Sequence, residues 1–167
     1  PSMTALNIGG LRADHQDVAL VTGKDERYES FGFRVITDQP VGIGPMGGLH
    51  AALSDRFELY GEGWLVLAAC DLVQPQHEWI APLTKQISST TAHAIAYRGN
   101  QWEPMLALYH TDLLPSIQQL IKQRIFAMHR LLDRVDAHAV ELPFAQGSIP
   151  QANTPAEFKT AQLRGVA

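Results

Sequence analysis

The chain has 167 residues, 46% of them hydrophobic and 18% charged, with 13 Lys+Arg against 17 Asp+Glu for a formal charge of -4. This composition fits one globular unit, residues 1–167, with apolar residues enough for a core, and the lack of basic runs interleaved with aromatics excludes a nucleic-acid groove. The lone Cys70 rules out an internal disulfide, and without a signal peptide or an apolar run of spanning length the sequence points to a cytoplasmic protein with no membrane partner.

Strand and helix patterns alternate along the chain. D-V-A-L-V-T-G (Asp17 to Gly23) and F-R-V-I-T-D (Phe33 to Asp38) are short β-branched runs closed by turn residues. Met46, Leu49, Leu53 and Phe57 then recur at helical spacing, which predicts a helix with all four on its inner face. W-L-V-L-A-A-C (Trp64 to Cys70) is nearly all apolar, as expected of a strand buried on both faces, with Cys70 a small core residue. Trp79, Ile80, Leu83 and Ile87 predict another helix face. T-A-H-A-I-A-Y (Thr91 to Tyr97) and P-M-L-A-L-Y-H (Pro104 to His110) read as strands, and Thr111 to Ile121 and Arg124 to Arg134 as helices. Near the end, Thr154 and Glu157 have the spacing of a capping box around Pro155 at the first helical position. The alternation argues an α/β fold with a mainly parallel sheet flanked by helices, in which ligands bind at the carboxyl ends of strands.

Two stretches lie at such ends. G-I-G-P-M-G-G, Gly42 to Gly48, packs four glycines and a proline into seven residues between a strand and a helix. Glycines there allow close approach of backbone to a ligand, and the helix N-terminus favours an anion; a tight connection that merely avoids crowding the sheet explains them equally. A-A-C-D puts Asp71 directly after an apolar strand, where a carboxylate can hold Mg²⁺ against a phosphate oxygen or can tighten a turn. Cys70 carries no nucleophile signature, and the seven histidines have no zinc-ligand spacing. Arg124, Arg130 and Arg134 suit a solvated face paired with Asp133 and Asp136, or alternatively a surface for an anion.

The ordered set G-P-M-G-G-L, an apolar strand ending C-D, E-P-M-L-A-L-Y and N-T-P-A-E-F resembles the molybdenum cofactor guanylyltransferase family, from Pro1 to about Leu163. The resemblance implies a Rossmann-like nucleotidyltransferase fold and transfer of GMP from GTP to molybdopterin with release of pyrophosphate. It implies Asp71 as the catalytic Mg²⁺ ligand; Gly23, Asp38 and Asp71 as nucleotide-binding residues; and Gly44, Pro45, Gly47, Gly48, Pro104 and Asn153 as the substrate side. GTP and molybdopterin are the implied partners, with molybdoenzymes or cofactor-biosynthesis proteins as further ones.

The family's opening strand, its L-A-G-G loop and the following basic residues have no counterpart in the sequence, so the domain reads as lacking its first strand and phosphate loop. Ile8-Gly9-Gly10 does not replace them, and Lys24 alone lies near the nucleotide side. Val73 stands where the family has proline, and Gln151 where relatives often have Asn or Asp. Two alternatives stay open: a relative using another nucleotide such as CTP, and a non-catalytic molybdopterin- or partner-binding protein.

Overall fold

The computed structural model describes residues 18–23, 32–73 and 76–143, together with 149, 151, 152, 154 and 157. In chain order the regular elements are β1 (Ala19–Thr22), β2 (Arg34–Thr37), α1 (Pro45–Tyr60), β3 (Trp64–Ala68), a 3-10 turn (His77–Trp79), α2 (Ala81–Thr84), β4 (Ala94–Arg98), β5 (Trp102–His110), a second 3-10 turn (Thr111–Leu113), α3 (Leu114–Lys122), α4 (Met128–Arg134) and β6 (His138–Glu141).

The strands form two sheets. β1 and β2 pair in parallel, and the second sheet has the order β3-β5-β4-β6, in which β4 and β6 are parallel and β5 is antiparallel to both its neighbours. Helix α1 packs across β1, β2 and β3, so β2, α1 and β3 form a crossover unit that returns β3 in the direction of β2. β5 is therefore the one described strand that runs against a mostly parallel set.

The core lies on both faces of the larger sheet. On one, Met46, Leu49 and Leu53 of α1 meet Ala94, Ala96, Ala107 and Tyr109 of the sheet and the apolar faces of α3 and α4. On the other, Leu72, Leu83, Ile95, Tyr97, Leu106, Leu108 and Ile149 form a second cluster. The Thr154–Glu157 capping box is present in both directions: Thr154 N–H donates to Glu157 Oε2 at 3.1 Å and Glu157 N–H to Thr154 Oγ1 at 3.2 Å.

Six expectations are corrected. Phe57 is 48% exposed, because by the last turn α1 has run past the apolar contacts that cover Met46, Leu49 and Leu53. Trp64 to Ala68 are only half-buried, since β3 pairs with β5 on one edge and opens to a slot on the other. Cys70 is exposed, in the turn where the strand has ended. Arg124 to Arg134 is not one helix: Arg124 has φ 58°, Ile125 N–H donates back to Leu120 O at 2.9 Å, and α4 starts only at Met128. Arg134 there reaches Gln123 Oε1 at 3.2 Å, and Asp133 accepts the Trp102 indole N–H at 2.8 Å. The expected helix from Thr111 likewise opens with a 3-10 turn, and the face from Trp79 to Ile87 is divided between a 3-10 turn, the single turn of α2 and the turns after it.

Candidate functional site

A slot of about 1220 Å³ separates the two sheets beneath α1. One wall is β1 from Val18 to Gly23; the other is β3 and its continuation from Trp64 to Asp71. Because the strands share a direction, their carboxyl ends meet at one mouth of the slot, which is lined by Gly23, Asp38, Gly44, Pro45, Gly48 and Asp71. At the other end Arg34 of β2 and Asp55 of α1 form an ion pair, close to Arg56 and Tyr60.

Asp38 is held by its own backbone: its N–H donates to Thr22 O at 2.9 Å, which extends the β1–β2 ladder by one bond and carries the side chain to the mouth. Burial pushes its carboxyl above the ordinary value, since the charged form loses hydration there. Gln39 N–H donates to Gly47 O at 3.2 Å and so ties the loop after Asp38 to the first turn of α1.

The glycines serve different ends. Gly42 and Gly44 have φ of 84° and 71°, a region that side chains resist, so the chain turns back toward α1 only with glycine there. Gly47 is required by crowding, because a β-carbon on it would collide with the carbonyl oxygen of Pro40. Gly48 faces the slot beside Val21 and Asp38. Gly47 thus has a packing reason, whereas Gly44 and Gly48 line the mouth.

Asp71 follows β3. Ala152 N–H donates to Asp71 O at 2.9 Å and Leu72 bridges Gln151, so the segment from 151 fixes the backbone on which Asp71 stands. Its Oδ1 is buried with no hydrogen-bond partner. A buried carboxylate oxygen left in this way is costly unless a cation or a donor meets it, and it fits an oxygen ligand of a hard divalent ion such as Mg²⁺. Among the described residues no group of three His, Cys, Asp or Glu is placed to hold a metal ion, so Asp71 would share such an ion with phosphate oxygens and water. Val73, in the place of the family's proline, is buried.

Pro104 does not line the slot. It lies on β5 next to Met105, whose carbonyl accepts from Ala69 N–H at 2.8 Å, and its own carbonyl accepts from the buried Tyr109 hydroxyl at 2.9 Å. Although Cys70 as a residue is exposed, neighbouring atoms of the slot partly desolvate its sulfur, and this, followed by the charge of Asp71, raises the thiol, which argues against a thiolate nucleophile. His93 and His110 stack at 5.5 Å and both approach Asp112, a relationship no spacing in the sequence signals. Asn153, Lys24, Pro155 and Ile8 to Gly10 lie outside the described residues.

A model of the MobA-like NTP transferase domain matches residues 7–139. The chain belongs to this family. As a MobA-like NTP transferase domain it is similar to the molybdenum cofactor guanylyltransferase of Photobacterium profundum, 25% identical over 159 residues that make up 91% of this chain and 77% of the relative. Among solved structures it is similar to molybdopterin-guanine dinucleotide biosynthesis protein A from Archaeoglobus fulgidus, with TM-score 0.70 and 24% identity over 89% of this chain and 79% of that one. The fold extends to glucosyl-3-phosphoglycerate synthase from Mycobacterium tuberculosis, solved with Mn²⁺ and UDP-glucose, at TM-score 0.57 and 18% identity over 99% of this chain and 72% of that one. The MobA-like domain has a Rossmann-like architecture, and no helix among its described residues is long and apolar enough to cross a membrane.

Proposed function

We propose that this MobA-like domain transfers GMP from GTP to molybdopterin, and that the mouth of the slot is where the two substrates meet. The observation that carries the reading is the placement of Asp38 and Asp71, from the ends of two strands in different sheets, at one mouth with the Gly44–Gly48 turn. Names of relatives supply the chemistry: those of Photobacterium profundum and Syntrophotalea carbinolica are molybdenum cofactor guanylyltransferases.

In the reaction an oxygen of the terminal phosphate of molybdopterin attacks the α-phosphorus of GTP. The new P–O bond forms as the bond to the β-phosphate oxygen breaks, and the electron pair leaves with pyrophosphate. The nucleophile is already anionic, so the protein needs no strong base; its task is to align two polyanions. Asp71, with its unpartnered Oδ1, is the residue to hold Mg²⁺, which when bound neutralises phosphate charge. Asp38 would accept hydrogen bonds from the guanine nucleotide, and Gly44 and Gly48, with no side chain, leave the backbone open to the phosphates. Pro45, Pro104 and Asn153 are assigned to the molybdopterin side by family resemblance.

The test is transfer of label from α-labelled nucleotide to molybdopterin, run with GTP and with CTP at equal concentration. Preferential transfer from GTP is expected. Preference for CTP would replace the guanylyl reading with the cytidylyl one, and no transfer from either, with molybdopterin still bound, would favour a non-catalytic binding protein.

A further inference from the structure

The turn that carries Asp71 changes its backbone support within three residues. Ala69 N–H donates to Met105 O of β5 at 2.8 Å, which extends the β3–β5 ladder past Ala68. Two residues on, Asp71 O accepts instead from Ala152 N–H at 2.9 Å, and Leu72 bridges Gln151 in antiparallel register. The segment that gives this support is itself anchored: Leu72 and Ala152 are fully buried, and Ile149 packs with Leu72 in the second core cluster. Just beyond it the Thr154–Glu157 box closes the next turn. At the carboxylate there is no comparable restraint, because the buried Oδ1 has no hydrogen-bond partner. With no donor to aim that oxygen, its place is set by the backbone beneath it.

We infer that the Ala152 amide is a positioning group for Asp71: its hydrogen bond fixes the turn so that the carboxylate stands ready for a divalent cation, and it thereby sets the affinity of the mouth for that ion. The inference rests on the metal role proposed for Asp71. A ligand atom binds a cation tightly when its position is fixed beforehand, since ordering it at the moment of binding subtracts from the affinity. Coupling of this kind is reciprocal, so the bound ion must in turn make the Ala152 bond harder to open.

The amide can be deleted by itself. Ala152→Pro removes the N–H, whereas Ala152→Gly keeps it and only loosens the chain. Mn²⁺ is titrated into the purified chain with GTP held constant, and paramagnetic broadening of the Leu72 amide signal reports the ion beside Asp71. Half-broadening is expected at about tenfold higher Mn²⁺ in Ala152→Pro than in the parent, and within about threefold of the parent in Ala152→Gly. Mn²⁺ binding that weakens in both variants in step with their loss of stability would make Ala152 a purely structural residue and overturn the proposal. Should Ala152→Pro not fold, hydrogen exchange in the parent decides. With GTP and saturating Mg²⁺ the Ala152 amide should exchange at least about tenfold more slowly than with GTP alone, while the amide of Val135, bonded to Leu131 O at the end of α4, is unchanged. Equal exchange at Ala152 in the two conditions overturns the proposal. Asp71→Asn separates the two levels: parental broadening in that variant removes the metal role of Asp71 and the proposal with it, whereas broadening lost there but parental in a folded Ala152→Pro removes the positioning role alone.

Discussion

A β-carbon on Gly48 would stand 3.4 Å from Oδ1 of Asp38 and 3.3 Å from Cγ1 of Val21, so the first turn of α1 rests directly against the candidate nucleotide-binding acid. Helix and carboxylate thus share one packing contact, and a change at Gly48 is felt at Asp38. In Gly48→Ala the gain in helix propensity of about 1 kcal/mol offsets the tight contact, leaving stability nearly unchanged. GTP affinity should nevertheless fall, by about tenfold in the larger Gly48→Val. Gly47→Ala should behave oppositely, costing about 1–3 kcal/mol of stability because its neighbour is the rigid Pro40 backbone. Urea denaturation and calorimetric titration of both variants separate the two roles; equal effects on stability would contradict them.

Asp38 itself is expected to oppose folding at neutral pH. Its carboxyl is raised above 3.8 by burial, so the folded state favours the protonated form. The corresponding stability is present below the unfolded pKa and lost as pH rises through the folded value. Asp38→Asn should accordingly be more stable than the parent at pH 7, with the advantage vanishing below pH 3.8. The same substitution should weaken GTP binding. Denaturant midpoints at the two pH values test this, and an Asn variant less stable at pH 7 would show that Asp38 has a stabilising partner.

For Asp71 the expectation is loss of function with retained fold. Its Oδ1 accepts from no group, so Asp71→Asn breaks no hydrogen bond at that atom. Mg²⁺-dependent transfer should drop by about a hundredfold or more, in line with the several kcal/mol that a metal supplies to phosphoryl charge. Turnover near the parent level at saturating Mg²⁺ would remove Asp71 from the metal role.

Much of this arrangement was readable in the sequence, and the failures share a cause. Met46, Leu49 and Leu53 announced their buried face through spacing and Asp71 its strand-end position by following an apolar run, whereas Asp38 entered only through the family resemblance. Phe57 obeyed the same spacing yet is exposed, because periodicity says which side faces inward but not how far the underlying layer extends. The run from Trp64 to Cys70 was apolar enough for a central strand, and only the three-dimensional layout discloses that one edge of β3 opens to the slot. Arg124 sits in an apolar pattern that suits a helix, but its positive φ comes from closure of the α3 terminus onto Leu120, a tertiary demand. The stacking of His93 on His110 was invisible because the β4–β5 pairing brings them together, with Asp112 two residues beyond His110.

Tyr97 offers a test of the second core cluster through pH. It is fully buried, its hydroxyl donates to Trp79 O at 2.7 Å, and burial pushes its pKa up to about 12. The unfolded value is about 10, so the folded state keeps the proton longer and the stability this contributes is complete below pH 10 and is lost as pH rises toward 12. By pH 11.5 the loss amounts to about 2 kcal/mol. Tyr97→Phe removes the titration at the expense of one hydrogen bond, about 1 kcal/mol at neutral pH. The parent should therefore be the more stable of the two at pH 9 and the less stable at pH 11.5, with the curves crossing between. Thermal or urea denaturation of both proteins across that range measures the difference directly, since the other ionisable groups are common to both. A difference independent of pH would mean that the Tyr97 hydroxyl reaches solvent in the folded chain and that the cluster around Leu72 and Ile149 is more open than its packing indicates.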